Sequence, residues 1–416
     1  MKRNLFLPFL CAVIAAGLSS CSETSAPPPP QGDGIPITSE VVWTAIHSDR
    51  NVQFQTVRFD PSGTFGMAYS WDGRGASTHD GGKTWRPFDL TQWLGHSDGF
   101  SYVTIADTRT AWLNAYDIQN TRMFFGLTED AGNTWTFKEF PHMSAFQFAG
   151  ALRPSKNAIY VRESATPSFG AHWWDKKRVL FVSLDGGASW SRRSTSDYIL
   201  ALAAVSPGTI MAAVASDSTR YAVSSLLISS DDGASWRASL TDTLWYFHGM
   251  HFATPTEGIA VAARYRTDMD SSRLTQAVFR TSDGGTSWKK TYELSVPWRG
   301  EYYSSRTAAG VLFAVPPVWM LNVSYSFTGS GGSNIDRYRS DDNGLTWAYL
   351  ENLRGYYYEP AWAPPDWKIG IRGNQMTQDG GRTWQVKPWL ITQAFFTTPY
   401  EVFAVKDSLI LRGVAP

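Results

Sequence analysis

One eight-residue pattern, Ser/Thr-x-Asp-x-Gly-x-Ser/Thr-Trp, recurs seven times in this chain and constrains its fold more than any other feature. The copies run from Thr78 to Trp85, Thr128 to Trp135, Ser183 to Trp190, Ser229 to Trp236, Thr281 to Trp288, Ser340 to Trp347 and Thr377 to Trp384. Successive tryptophans stand 50, 55, 46, 52, 59 and 37 residues apart. A period of this size belongs to stacked or radially repeated supersecondary units.

Turn chemistry explains the octad. Asp-Gly-Gly between two short β-like runs is a hairpin signal, because glycine takes φ > 0 without a Cβ clash. The glycine at position five (Gly82, Gly132, Gly187, Gly233, Gly285, Gly344, Gly381) never varies within the chain, whereas the residue before it is Gly, Ala, Gly, Asp, Gly, Asn and Gly. That contrast puts the strained backbone at the invariant position. The carboxylates of Asp80, Asp130, Asp185, Asp231, Asp283, Asp342 and Asp379 are expected to accept hydrogen bonds from turn amides, with the flanking hydroxyls tying the hairpin ends together. Trp85, Trp135, Trp190, Trp236, Trp288, Trp347 and Trp384 are expected to open the next strand and wedge between layers.

The octad resembles the Asp-box, or BNR, repeat of sialidases, sortilin-type receptors, some glycoside hydrolases and photosystem II assembly factors. The resemblance implies a β-propeller in which each box is a structural hairpin between the third and fourth strands of a blade, opposite the ligand face. The boxed aspartates therefore read as structural. Seven carboxylates dispersed at this period do not converge on one substrate or metal.

The rest of the chain fits a single large all-β domain over residues 36–416. Of its 416 residues 14% are aromatic and only 18% charged, enough apolar material for a large core. Without Lys2 and Arg3 the balance is 35 basic to 37 acidic residues, and no basic run marks a nucleic-acid footprint. No His cluster has metal-ligand spacing, so neither metal nor other cofactor is expected. Helices should be rare, since no window holds a sustained 3.6-residue apolar period.

Residues 1–20 read as a lipoprotein signal peptide. Met1-Lys2-Arg3 is a basic start, Leu5 to Leu18 is an apolar stretch too short for a typical spanning helix, and Leu18-Ser19-Ser20-Cys21 resembles the bacterial lipobox. Cys21 is the expected lipidation site and the sole cysteine of the mature chain, since Cys11 lies in the leader. The alternative is ordinary signal-peptide cleavage with an incidental thiol. Ser22 after the cysteine is compatible, by that resemblance, with export to an outer membrane. Residues 21–35, with Pro27 to Pro30, read as a tether.

Four strands per unit are expected from residue 36 onward. The residues after Trp384 supply three further strands without an octad of their own, and Val41 to Ile46 looks like an orphan fourth strand. Pairing the two ends makes eight blades and removes two open sheet edges. Seven blades with a packed tail is the alternative.

Insertions on one side of a repeat protein usually mark its binding face. The longest here are expected between second and third strands: Ser164 to Lys177 with Trp173 and Trp174, Arg266 to Leu274, and Pro316 to Asn334 with Trp319. The connections between blades add Trp245, Tyr246, His248 and Trp298. Polar residues at second-strand ends (Asp117, Arg162, Glu163, Arg264, Arg372, Lys406) complete a candidate surface for an anionic, carbohydrate or protein ligand. The other reading of each is a locally paired propeller residue. A sialidase-like site would use Arg162, Arg264 and Arg372 as a carboxylate clamp beside Tyr302 or Tyr357. Against this, Val57-Arg58-Phe59-Asp60 only faintly echoes the Phe-Arg-Ile-Pro start of sialidases, and no convergent carboxylate pair is evident. The sequence therefore predicts a lipid-anchored envelope propeller whose box-free face binds a protein or glycan without catalysis, the arginines staying apart and paired with local acids. A glycoside hydrolase is the alternative.

Overall fold

The computed structural model describes residues 41–94, 99–100, 103–117, 122–141, 148–163, 179–195, 197–216, 224–265, 274–295, 308–326, 333–354 and 360–414. Cys21, Trp173, Trp174, Trp298, Tyr302 and Tyr357 lie outside them. The fold is all-β, an eight-bladed β-propeller.

Strand β1 (Val42–Ser48) comes first in the chain but belongs to the last sheet. Sheet 1 is β2 (Thr56–Phe59), β3 (Gly66–Tyr69), β4 (Arg74–Thr78) and β5 (Arg86–Asp89). One helical turn, α1 (Thr91–Leu94), leads to sheet 2, whose first strand is split: β6 (Gly99–Phe100), β7 (Thr104–Ile105), β8 (Ala111–Asp117), β9 (Arg122–Thr128) and β10 (Thr136–Glu139). Sheet 3 is β11 (Phe148–Leu152), β12 (Ile159–Glu163), β13 (Val179–Ser183) and β14 (Ser191–Ser194). Sheet 4 is β15 (Tyr198–Ser206), β16 (Thr209–Ala215), β17 (Ser224–Ser229) and β18 (Arg237–Asp242). Sheet 5 is β19 (Tyr246–Phe252), β20 (Gly258–Tyr265), β21 (Leu274–Thr281) and β22 (Lys289–Ser295). Sheet 6 is β23 (Ala308–Val315), β24 (Val318–Ser326), β25 (Ser333–Ser340) and β26 (Ala348–Arg354). Sheet 7 is short: β27 (Ala361–Trp362), β28 (Gly370–Arg372), β29 (Gln375–Thr377) and β30 (Gln385–Val386). Sheet 8 holds β31 (Gln393–Thr398), β32 (Glu401–Lys406), β33 (Leu409–Val414) and, beside β33, strand β1.

The expected closure by both chain ends is therefore what forms, with Val42 opposite Val414 and Ser48 opposite Leu409. Sheets 3 to 6 make one compact unit, and sheets 1, 2, 7 and 8 a second. Within each unit consecutive sheets bury one cluster between them. Leu180, Ile210 and Val214 join sheets 3 and 4, Met211, Phe247 and Phe279 join sheets 4 and 5, and Ile259, Val278 and Trp319 join sheets 5 and 6. In the second unit Phe403, Val57 and Phe59 join sheets 8 and 1, and Met67, Tyr69 and Leu113 join sheets 1 and 2. Second strands such as β8 are buried on both faces and so read as continuous apolar runs, while fourth strands such as β5 and β14 are mostly exposed. Each fully buried Leu, Val or Phe contributes about 1.5–3 kcal/mol.

All seven octads form one hydrogen-bonded turn. The first hydroxyl accepts from the amide of the invariant glycine at 2.7–3.0 Å. The same hydroxyl donates to Oδ1 of the aspartate, at 2.9 Å in Thr78 to Asp80. That Oδ1 also accepts the amide of position seven, at 2.8–2.9 Å. Oδ2 takes the position-seven hydroxyl at 2.6–2.7 Å. The tryptophan sits in the turn, and the fourth strand begins at the next residue in every copy, one residue later than expected.

Strain is not confined to the invariant glycine. The preceding residue also has positive φ, from 57° at Asp232 to 74° at Gly380, and the invariant glycine lies further out, from 77° at Gly344 to 91° at Gly187. The first position tolerates Ala131, Asp232 and Asn343 because their φ of 57–61° falls in the small left-handed well open to L-residues. At the second, a Cβ on Gly82 would overlap the Phe403 ring of sheet 8, and one on Gly285 would overlap Met211 of sheet 4. Gly132 and Gly344 have room, with nearest atoms at 3.7 and 3.4 Å, so there φ alone excludes other residues. The amide of the first position also docks the octad onto the turn between first and second strands of its own sheet. Examples are Gly81 to the Thr64 carbonyl at 3.0 Å, Asp232 to Gly208 at 3.0 Å and Gly380 to Lys368 at 2.8 Å. Octads and first turns thus share one end of each sheet.

Gly82→Ala is expected to lower stability by about 1–3 kcal/mol from backbone strain, whereas Gly81→Asn, a residue used at that position in the sixth octad, costs under about 1 kcal/mol; urea unfolding of both variants checks the contrast.

The octad carboxylates all titrate below the usual range. The Thr84 hydroxyl holds Asp80 at about 2, and the Ser235 hydroxyl does the same for Asp231. At Asp130, Asp283, Asp342 and Asp379 desolvation opposes the shift and hydrogen bonds outweigh it. A folded pKa below the unfolded value means the contribution is complete above about pH 4 and is lost as pH falls through about 2. Melting temperature should therefore fall steeply between those limits, and Asp231→Asn should make the fall shallower.

Candidate functional site

At the end of each sheet away from its octad lie the connections between second and third strands and those between sheets. Their lengths differ widely: two residues separate Arg372 from Gln375, whereas fifteen separate Glu163 from Val179. The octad connections, by contrast, hold the same turn throughout.

The three arginines of the expected clamp do not occupy equivalent positions. In their second strands, the residues opposite the first octad hydroxyl are Ile159, Gly258 and Gly370. Arg162 stands three residues beyond that point, Arg264 six and Arg372 two. Side chains alternate along a strand, so Arg162 leaves its sheet on the opposite face from the other two. It donates to the carbonyls of Ile199, at 3.3 Å, and Leu200 in the next sheet. Those carbonyls turn toward it because β15 bulges between Ile199 and Ala201. Desolvation of the guanidinium brings its pKa down to about 10. Arg372 donates through Nε to Gln375 Oε1 at 2.9 Å and lies 3.9 Å above the Trp384 ring, a close cation–π contact. Both arginines are thus engaged locally, and the partners described include carbonyls, an amide and an indole. Arg264 is exposed. The Glu163 side chain lies outside the described residues.

Other candidates prove structural. Trp319 is 1% exposed and lies in β24, packed with Leu321 and Tyr338 and edge-on to His251 at 6.0 Å. The expected loop from Pro316 to Asn334 is strand as far as Ser326, because Val318-Trp-Met-Leu-Asn-Val is an apolar run buried on both faces and Pro316-Pro317 make a tight turn before it. Trp245 is also buried, under the Lys290 ammonium at 5.3 Å from its ring. Asp117, 1% exposed, pairs with Arg122 at 2.8 Å across its own hairpin. Tyr246 and His248 are half-buried in β19, where a second bulge separates Phe247 from Gly249.

Two buried polar groups were not anticipated. Arg337, fully buried, donates to Asn322 Oδ1 at 3.1 Å and Glu351 Oε1 at 2.8 Å. Gln276 is fully buried, and among the described residues neither of its amide atoms has a hydrogen-bond partner. Both lie in third strands, Gln276 in β21 and Arg337 in the largely polar β25, where the sequence gives no sign of which polar side chain is turned inward.

No protein-family model and no curated protein matches the sequence. Among solved structures the chain is similar to YCF48 bound to a D1 peptide, at 16% identity over 92% of this chain and 100% of that one, with a TM-score of 0.41. It is similar to YCF48 from Cyanidioschyzon merolae at 14% identity, covering 90% and 98%, with a TM-score of 0.42. The GH74 xyloglucanase from Xanthomonas campestris aligns at 12% identity over 89% and 80%, with a TM-score of 0.31.

Trp319→Ala should cost about 3–5 kcal/mol in urea unfolding by opening a core cavity, while Arg264→Ala, on the surface, should stay within about 0.5 kcal/mol of the parent. Loss of ligand binding with unchanged stability in the first variant would return Trp319 to the binding face.

Proposed function

We propose that this chain is a lipid-anchored cell-envelope protein of Asp-box type that binds a protein or glycan through the octad-free ends of its sheets and catalyses nothing. One observation carries the reading. The octad ends are uniform and self-satisfied, every octad aspartate having both oxygens engaged within its turn. The connections at the opposite ends vary most in length, from two residues between Arg372 and Gln375 to fifteen between Glu163 and Val179, and sequence variation among otherwise equivalent repeats accumulates where a ligand is selected.

The local engagement of Arg162 and Arg372 supports a binding role over a sialidase-like one. A carboxylate clamp needs guanidinium donors free to converge on one small anion, and these two are held by their own neighbourhoods. The membrane anchor rests on the lipobox-like Leu18-Ser-Ser-Cys21 and the Pro-rich segment after it.

Deleting residues 164–177 is expected to leave the urea midpoint nearly unchanged while abolishing capture of the envelope ligand by cross-linking and pull-down. Capture at the parent level would show that this face is not the one used. Turnover of a fluorogenic sialoside that vanishes on Arg264→Ala would replace the binding reading with a hydrolytic one.

A further inference from the structure

In sheets 1 to 7 an octad joins the third strand to the fourth. In sheet 8 the third strand ends at Val414, the fourth begins at Val42, and those two residues face one another across the pair. Val414 in turn faces Glu401, the first residue of β32. First residues of second strands mark the octad end elsewhere: Gly66 faces Thr78, where the first octad begins. The chain therefore enters sheet 8 at the place the eighth octad would occupy, and β1 runs from there to the octad-free end, where Ser48 faces Leu409. The octad ends of sheets 8 and 1 lie on the same side, since a Cβ on Gly63, in the first turn of sheet 1, would stand 3.3 Å from Thr397, near the end of β31 where it enters the corresponding turn of sheet 8.

From this placement we propose that the octad end of sheets 8 and 1 is the side turned toward a lipid bilayer, with their octad-free end displayed away from it. The inference rests on the lipid-anchor reading and adds an orientation to it. Nineteen residues separate Cys21 from Val41. A random-coil chain of that length would span about 25 Å r.m.s.. The seven residues of β1 add about 23 Å before the chain arrives at the other end. With β1 directed away from the bilayer, the octad-free end stands about 23 Å farther from it than the octad end does. The side chains at the root suit that surface. Val42, the first residue of β1, is 54% exposed, and Trp43 beside it is half-buried. Exposed aliphatic groups beside amphipathic indoles are the chemistry of the bilayer interface.

The test uses the full chain, processed from its own leader and reconstituted into vesicles whose headgroups carry a nitroxide quencher. Lys83→Cys places a fluorophore on the first octad, and Arg50→Cys places one just beyond β1 at the octad-free end; both positions are exposed. Acylation converts Cys21 to a thioether, leaving one free thiol in each variant. Metabolic acyl labelling is read first. With acylation established, quenching at position 83 is expected to exceed that at position 50 by about twofold. Equal or reversed quenching in acylated protein overturns the orientation and leaves the anchor standing. Absence of acyl label, with a reactive thiol at Cys21, overturns the anchor and the orientation with it.

Discussion

The carboxylate at the centre of each octad turn is the interaction on which the rest of the structure depends. Its two oxygens gather the amide and hydroxyl of position seven and the hydroxyl of position one. This fixes the third and fourth strands of a sheet in register. The two left-handed residues bend the backbone tightly enough for the turn's next free amide to reach the first turn of the same sheet. A third set of contacts comes from the preceding sheet: Arg193 donates to the Asp231 carbonyl at 2.8 Å, Thr291 to the Gly344 carbonyl at 2.8 Å, and Ser239 to the Gly285 carbonyl. The octad is thus a joint between strands, between turns and between sheets.

A joint of this kind takes its acids out of chemistry. With their hydrogen-bonding capacity filled, Asp80 and Asp231 remain ionised down to about pH 2 and are poor general acids near neutrality. What is left to differ between sheets is the opposite end, where bulges in β15 and β19 turn backbone carbonyls and where the connections change length. Arg162 illustrates the consequence. A residue that looks like a ligand-binding cation by position serves to hold one sheet to the bulge of the next.

Much of the architecture was legible in the chain because it rests on local rules repeated seven times. The hydroxyl, carboxylate and glycine of each octad act within eight residues, and Trp43 stands in phase with the later tryptophans, so the repeat, the strands and even the orphan fourth strand could be read directly. Errors came where a choice between two sheets or two faces was needed. Trp319 and Trp245 look like surface residues because aromatic residues near turns resemble binding residues, yet both fill gaps between neighbouring sheets. Arg162 and Arg264 differ in face only through register, which a three-residue difference in position reverses.

The hydrogen-bonded turn, the all-β repeat and the number of octads follow from dihedral preferences and hydrogen-bonding groups close together in the chain. Tertiary structure decided the eighth sheet. Whether Val42 meets Val414 depends on two segments more than 360 residues apart finding one another, and no local propensity encodes that. It also decided which polar side chains are spent inside: Arg337 and Asp117 are buried by the packing around them, and burial is a property of what a neighbouring strand brings, not of the residue or its immediate sequence.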